Sequence, residues 1–279
     1  MNEQALAFGE SGALFGILSL PETHDPSRPT VLIPNTGVDH RIGPGRLHVE
    51  LARALANSGY ASLRLDNAEL GDSERVPGRA SVAYAPDLRS AMDMLDAQTV
   101  SSGYVIIGFN SGAHDAHQAA RIDPRIVGTA FIDGYCYSTR RSWLSSALHQ
   151  LTRVNRHAYI PLRPLSRFTP QSGSLLHGVR TEEIRYFRTP SRRQMQVDVI
   201  EFMRRELSLL YVYTAQSEGS YIYATQLLDA FPILRTYPQV TLHHLPALEY
   251  RYPCRATRET IIKLLLDWVL ALPMRAHSR

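Results

Sequence analysis

Lysine is almost missing from this chain. Lys263 is the only one among 30 basic residues, and the rest are arginine. We read that bias as GC-rich coding rather than as a functional mark. Cysteine is nearly as scarce. Cys136 and Cys254 alone make no disulfide framework, which fits a reduced, cytoplasmic setting. No apolar run reaches the ~18 residues that a membrane span needs. Met1 to Phe8 has neither a basic start nor an apolar stretch, so no secretory signal is expected. Internal repeats and low-complexity tracts are also missing, which argues against solenoids and disordered arrays.

What is present is an ordinary globular composition, 44% hydrophobic and 20% charged over 279 residues. That length suits one large α/β domain with room for an insertion. The net charge of +4 is unevenly spread. Residues 137–205 hold 13 arginines against Glu182, Glu183, Asp198 and Glu201. The middle of the chain is therefore strongly basic and the remainder mildly acidic.

Short apolar runs alternate with helical patterns, the rhythm of βαβ units on a parallel sheet. Strands are expected at 12–20, 30–33, 60–65, 104–107, 126–132, 209–213 and 240–245. Helices are expected at 47–58, 85–97, 111–122, 221–231 and 255–272. Residues 138–205 break the rhythm with Arg, Ser and Pro. The expected architecture is a doubly wound, mostly parallel sheet interrupted by a helical cap. Its core parts are 1–136 and 206–279, and the Arg-rich insertion is 137–205.

One segment carries chemistry. Gly108-Phe109-Asn110-Ser111-Gly112 joins a buried strand to a helix, with glycines two before and two after the centre. Close approach of strand and helix at a strained turn requires such glycines. The central side chain then projects above the sheet, and the next backbone N–H points at an oxyanion position. That centre is Asn110, whose delocalised amide is a poor nucleophile. Ser111 could replace it only if the turn shifted by one residue.

These motifs resemble the bacterial α/β-hydrolases of the serine-aminopeptidase type, and more closely a branch related to exosortase-associated hydrolases. The resemblance rests on Asn35-Thr36-Gly37 running into His40-Arg41-Ile42-Gly43-Pro44, and on Leu63-Arg64-Leu65-Asp66 followed by Gly71-Asp72-Ser73. The elbow and Phe131-Ile132-Asp133-Gly134-Tyr135 complete it. It implies an α/β-hydrolase fold with a nucleophile–acid–histidine triad. Here Asn110 takes the nucleophile position. Glu218 approximates the acid, and Glu249 or a neighbour falls where histidine is expected. Without an imidazole, no group is poised near neutral pH to shuttle the proton.

The expected binding residues are Asn35, Thr36, Gly37, His40, Ser111 and Cys136. The N–H groups of Ser111 and of the 35–37 loop would receive a carbonyl or carboxylate. A hydrogen bond from Asn110 to Glu249 would orient a ligand or allow non-covalent lyase or isomerase chemistry. Hydrolysis of an ester or thioester through another nucleophile is a further reading. His114, Asp115 and His117 could approach a metal, but helix packing is the plainer role, and neither metal nor cofactor is expected. His243 and His244 face opposite sides of the last strand. Arg140, Arg141, Arg163, Arg167, Arg192 and Arg193, with Tyr135, Tyr137, Trp143, Tyr159, Tyr186 and Phe187 nearby, suit sugars, anionic acyl carriers or a partner protein, or else a cap surface packed on its own domain. No nucleic-acid module is recognisable. A homo-oligomer, or a structural subunit of a polysaccharide or secondary-metabolite assembly, stays open. The main expectation is a hydrolase-like protein that binds a small ligand or a partner without Ser or Cys hydrolysis.

Overall fold

The computed structural model describes residues 1–76, 85–98, 101–144, 189–217, 219–249 and 251–273. Glu218, Tyr250 and most of the Arg-rich segment lie outside them. Eight strands form one sheet in the order β1-β2-β4-β3-β5-β6-β7-β8. They are β1 (Asn2–Phe8), β2 (Leu14–Leu20), β3 (Thr30–Ile33), β4 (Ser62–Asp66), β5 (Tyr104–Phe109), β6 (Ile126–Ile132), β7 (Ser208–Thr214) and β8 (Val240–Leu245). From β4 onward across the sheet every pairing is parallel, whereas β1 and β2 pair antiparallel at one edge.

The central strands are continuously apolar because both faces are covered. Val31, Leu32 and Ile33 are fully buried, as are Val105, Ile106 and Ile107. Such continuous apolar runs mark strands sandwiched between helices. On one face lie α1 (Leu47–Asn57) and α6 (Arg255–Leu270), which contribute Leu47, Leu51, Leu55, Ile261, Leu265 and Val269. On the other lie α2 (Ala85–Gln98), α3 (Ser111–Ile122) and α4 (Arg192–Arg204). The buried face of α3 is Ala113, Ala116, Ala119 and Ala120. Small side chains let this helix lie close to the sheet. Burying each leucine of α1 stabilises the fold by about 1.5–3 kcal/mol.

Two elements differ from expectation. β1 was not foreseen, because six of its seven residues are exposed or half-exposed and its sequence has no period-2 alternation. It is an edge strand recognisable only by its pairing to β2. The helix expected over 221–231 shortens to α5 (Gln226–Ala230), because the Gln226 side chain caps the preceding turn. Gln226 Oε1 accepts from Ile222 N at 3.0 Å, and its Nε2 donates to Ser220 O at 2.7 Å.

α4, from the end of the Arg-rich segment, packs against α3. Met195, Val199 and Phe202 are buried there. His117 and Asp198 meet at 2.9 Å in the interface, and Arg121 joins Asp198 at 3.0 Å. The sheet order reverses between β3 and β5. A crevice outside the carboxyl ends of the strands opens at such a switch point and is the usual ligand site of open α/β sheets.

Candidate functional site

The β5–α3 turn sits at this switch point. Asn110 caps α3 with φ 50° and ψ −110°. A non-glycine residue at positive φ is strained and persists only where its surroundings dictate it. The surroundings here are backbone. A Cβ on Gly108 would lie 2.2 Å from the Gly112 carbonyl oxygen, and one on Gly112 would lie 2.7 Å from the Asn35 carbonyl oxygen. Asn110 N–H donates to Ile132 O at 2.8 Å, tying the apex to β6. The glycine frame therefore puts Asn110, not Ser111, at the apex. The Asn110 side chain is part-exposed and bonds to none of the described residues. The Ser111 N–H likewise has no acceptor among them.

Ser111 is committed elsewhere. Its hydroxyl accepts the Gly37 N–H at 2.6 Å. The Gly37 N–H is thus already engaged from within the chain, whereas the Ser111 N–H donates to none of the described residues.

The 35–41 loop is built on a buried carboxylate. Asp66, at the end of β4, accepts from Asn35 Nδ2 at 2.8 Å, from Arg41 N at 2.7 Å and from Asp72 N at 3.1 Å, and it pairs with the Arg41 guanidinium. Asn35 also donates to Asp39 O at 2.7 Å and accepts from Asn67 N at 2.5 Å. Its side chain is a loop anchor, with both amide protons committed within the chain. Thr36 is turned inward too, its hydroxyl 3.2 Å from His48 Nε2. Burial holds His48 neutral, its pKa lowered to about 3, with its ring stacked on Phe109. His40 does not face Asn110. Its ring lies 2.7 Å from Arg41 and 3.4 Å from Asp72. His40, Asp66 and Asp72 are the one set of metal-capable groups brought together among the described residues, and the Arg41 guanidinium already supplies the positive charge there.

Beside the apex, at the end of β6, stands Asp133, again at positive φ (51°). Sequence reading did not assign it a role. It accepts from Thr214 N at 2.7 Å, Thr214 Oγ1 at 2.6 Å and Ser217 Oγ at 2.8 Å. Burial raises its pKa above the ordinary carboxylate value, while those donors oppose the rise. Its proximity to Asn110 was readable only from strand pairing, since Phe109 pairs with Ile132. Cys136 follows close by. Burial pushes its thiol up to about 12, so it is protonated and inert as a nucleophile near neutral pH.

The turn after β8 is where a histidine was expected. Glu249 is exposed there and forms no hydrogen bond or ion pair with Asn110 among the described residues. The inward residue is Tyr252, 5% exposed, with its ring 6.0 Å from Phe109. Arg251 donates to both carboxylate oxygens of Asp39, at 2.8 and 2.9 Å. Arg251 and Tyr252 both have positive φ. Glu218 lies outside the described residues. His243 and His244 are half-buried on β8, and burial lowers the pKa of His244 beside the Tyr221 ring. The α3 groups diverge: His114 meets the Tyr135 hydroxyl, Asp115 takes Asn67 Nδ2 at 3.3 Å, and His117 pairs with Asp198. They do not form a metal site together.

Neither a protein-family model nor a curated protein matches the sequence. Solved structures do match in shape. An esterase from Pyrococcus furiosus aligns at TM-score 0.58 and 13% identity, over 98% of this chain and 91% of its own. The esterase domain of a Rhodothermus marinus protein aligns at 0.57 and 18%, over 96% and 97%. Proline iminopeptidase from Mycobacterium smegmatis aligns at 0.55 and 15%, over 98% and 100%. The strand order, the elbow and these likenesses together show that the chain has the α/β-hydrolase fold. No helix among the described residues is long and apolar enough to cross a membrane.

Proposed function

We propose that this protein uses the α/β-hydrolase scaffold to bind a small carbonyl- or carboxylate-bearing ligand, without Ser or Cys hydrolysis. The observation that carries the reading is Asn110 at the strained apex, with neither Ser111 nor Cys136 fit to replace it as nucleophile. The Ser111 hydroxyl is engaged by Gly37, and the Cys136 thiol is protonated. The Ser111 N–H at the start of α3 and the Asn110 amide, both without a partner among the described residues, offer hydrogen-bond donors and an acceptor to an oxygen ligand. A partner protein bound through the Arg-rich segment is the other occupant to test.

Hydrolysis of short acyl esters and thioesters by the freshly purified chain, beside Asn110→Ala, tests this directly. Equal background rates are expected. Asn110→Ser should stay inactive, because no imidazole among the described residues bonds to the apex. Turnover lost only in Asn110→Ala would overturn the reading. Thermal-shift screening with short carboxylates should then give a stabilisation that Asn110→Ala weakens.

A further inference from the structure

We infer that Asn110 is a self-modifying residue: the elbow holds it in the backbone geometry that closes a succinimide, so the folded chain converts it to aspartate or isoaspartate. The inference rests on the apex geometry and is independent of the ligand-binding reading.

Ring closure needs the nitrogen of the following residue to approach the side-chain carbonyl carbon, Cγ. Helical backbone, with ψ of about −42°, and strand backbone, with ψ of about +135°, hold that nitrogen away from the side chain. Asn110 has ψ −110°. The substituents of a tetrahedral Cα are spaced a third of a turn apart. This torsion therefore swings the Ser111 nitrogen almost into line with Cβ, on the side from which it can reach Cγ. Free chains seldom visit such a torsion because it is strained. Here the close contacts of Gly108, Gly112 and Asn35 hold it permanently. The fold has met the conformational cost before any reaction, as in a near-attack conformer.

Two further conditions are satisfied. The Ser111 N–H donates to none of the described residues, so its nitrogen loses no hydrogen bond on attack. The Asn110 amide is also without a partner among them and is part-exposed, which lets it rotate and admits water. Base removes the Ser111 amide proton and the nitrogen forms a bond to Cγ. The Cγ–Nδ2 bond then breaks, and the amide leaves as ammonia after taking up a proton. Water opens the ring. Addition at Cγ breaks the new C–N bond and leaves aspartate at position 110. Addition at the main-chain carbonyl leaves the isoaspartyl link. No oxidant or metal is involved. The change places a carboxylate, a group able to form covalent intermediates, where an amide could not.

The chain carries its own control. Asn57-Ser58 is the same dipeptide at the end of α1, with Asn57 exposed. There the Ser58 N–H is occupied, donating to Ala54 O at 3.1 Å and Leu55 O at 3.0 Å. The two pairs differ in backbone, not in side-chain chemistry.

The experiment incubates the full chain in mildly alkaline heavy-oxygen water and follows both dipeptides by peptide mass spectrometry, using fragmentation that separates aspartate from isoaspartate. Conversion at Asn110 should exceed that at Asn57 by about tenfold or more, the effect of a fold that holds a strained reactive torsion. Denaturant should abolish that excess, and Asn110→Gln, whose ring would be one atom larger, should stay unmodified. An Asn110 rate no higher than that of Asn57 in the folded chain would overturn the inference, as would acceleration at Asn110 by denaturant. Aged, converted protein that still hydrolyses no ester would leave the ligand-binding reading in place. Retained amide together with ester turnover would defeat both separately.

Discussion

Two loops flank the crevice and are held in different ways. The elbow and the 35–41 loop beside it are fixed by backbone contacts and a buried carboxylate. Glycines meet carbonyls at distances that no Cβ tolerates, and Asp66, fully buried, collects donors from Asn35, Arg41 and Asp72. The turn after β8 is held by local backbone bonds, by the buried Leu248 and Tyr252 side chains, and by the ion pairs of Arg251 with Asp39 and Arg258 with Glu50. The difference teaches why the elbow keeps its shape although its apex residue is unsuited to nucleophilic attack. Backbone sterics do not depend on the apex side chain. A catalytic side chain, in contrast, depends on side-chain placement, and the turn after β8 presents an exposed Glu249 and an inward Tyr252.

The contrast can be broken most forcibly at Asp66. Asp66→Ala takes from the buried Arg41 guanidinium and Asn35 amide their shared acceptor, leaving Arg41 only the exposed Asp72 and Asn35 only the Asp39 carbonyl. A loss of about 3–5 kcal/mol in urea unfolding is expected. Gly108→Ala should follow, since its new Cβ meets backbone that cannot yield; on the order of 3 kcal/mol is expected by the same measurement. Losses of less than about 1 kcal/mol in either variant would show that the elbow side is no firmer than the turn.

Asp115, on the buried side of the elbow helix, sharpens the comparison through pH. Burial raises its pKa from 3.8 to about 8. Between those values the folded chain keeps a proton that the unfolded chain releases, so stability falls as pH rises through the window and levels off above it. Asp115→Asn keeps the neutral shape. It should flatten that slope and raise the Tm at the alkaline end, with little change at the acid end. An unchanged slope would place the titration elsewhere.

The smallest effect is expected at the turn after β8. Arg251→Ala removes an exposed ion pair and should cost less than about 1 kcal/mol. Hydrogen exchange should quicken around 248–252 and stay slow at 108–113. Equal quickening at both would mean that the two loops are one cooperative unit.

Much of this was legible in the sequence. The strands at 30–33, 126–132 and 240–245 and the helix at 111–122 appear where apolar runs and period placed them. The Gly108–Gly112 frame marked the elbow because its glycines answer a local steric demand. The partners of the site residues were not legible. Asn35 and Thr36 look like pocket residues in a motif, yet their side chains are engaged by Asp66, Asp39, Asn67 and His48. Nothing local announces that Ser111 will accept the Gly37 N–H across 74 residues. Asp133 was visible as part of a motif, but its position beside Asn110 depends on the pairing of β5 with β6.

The sequence by itself determined the periodicities, the glycine frame and the identity of the apex residue, because each depends on neighbours within one or two turns of chain. Only the tertiary structure decided which donors stay open, which hydroxyl is occupied and what torsion Asn110 must hold. Those outcomes depend on groups far apart in sequence, brought together where the sheet order reverses.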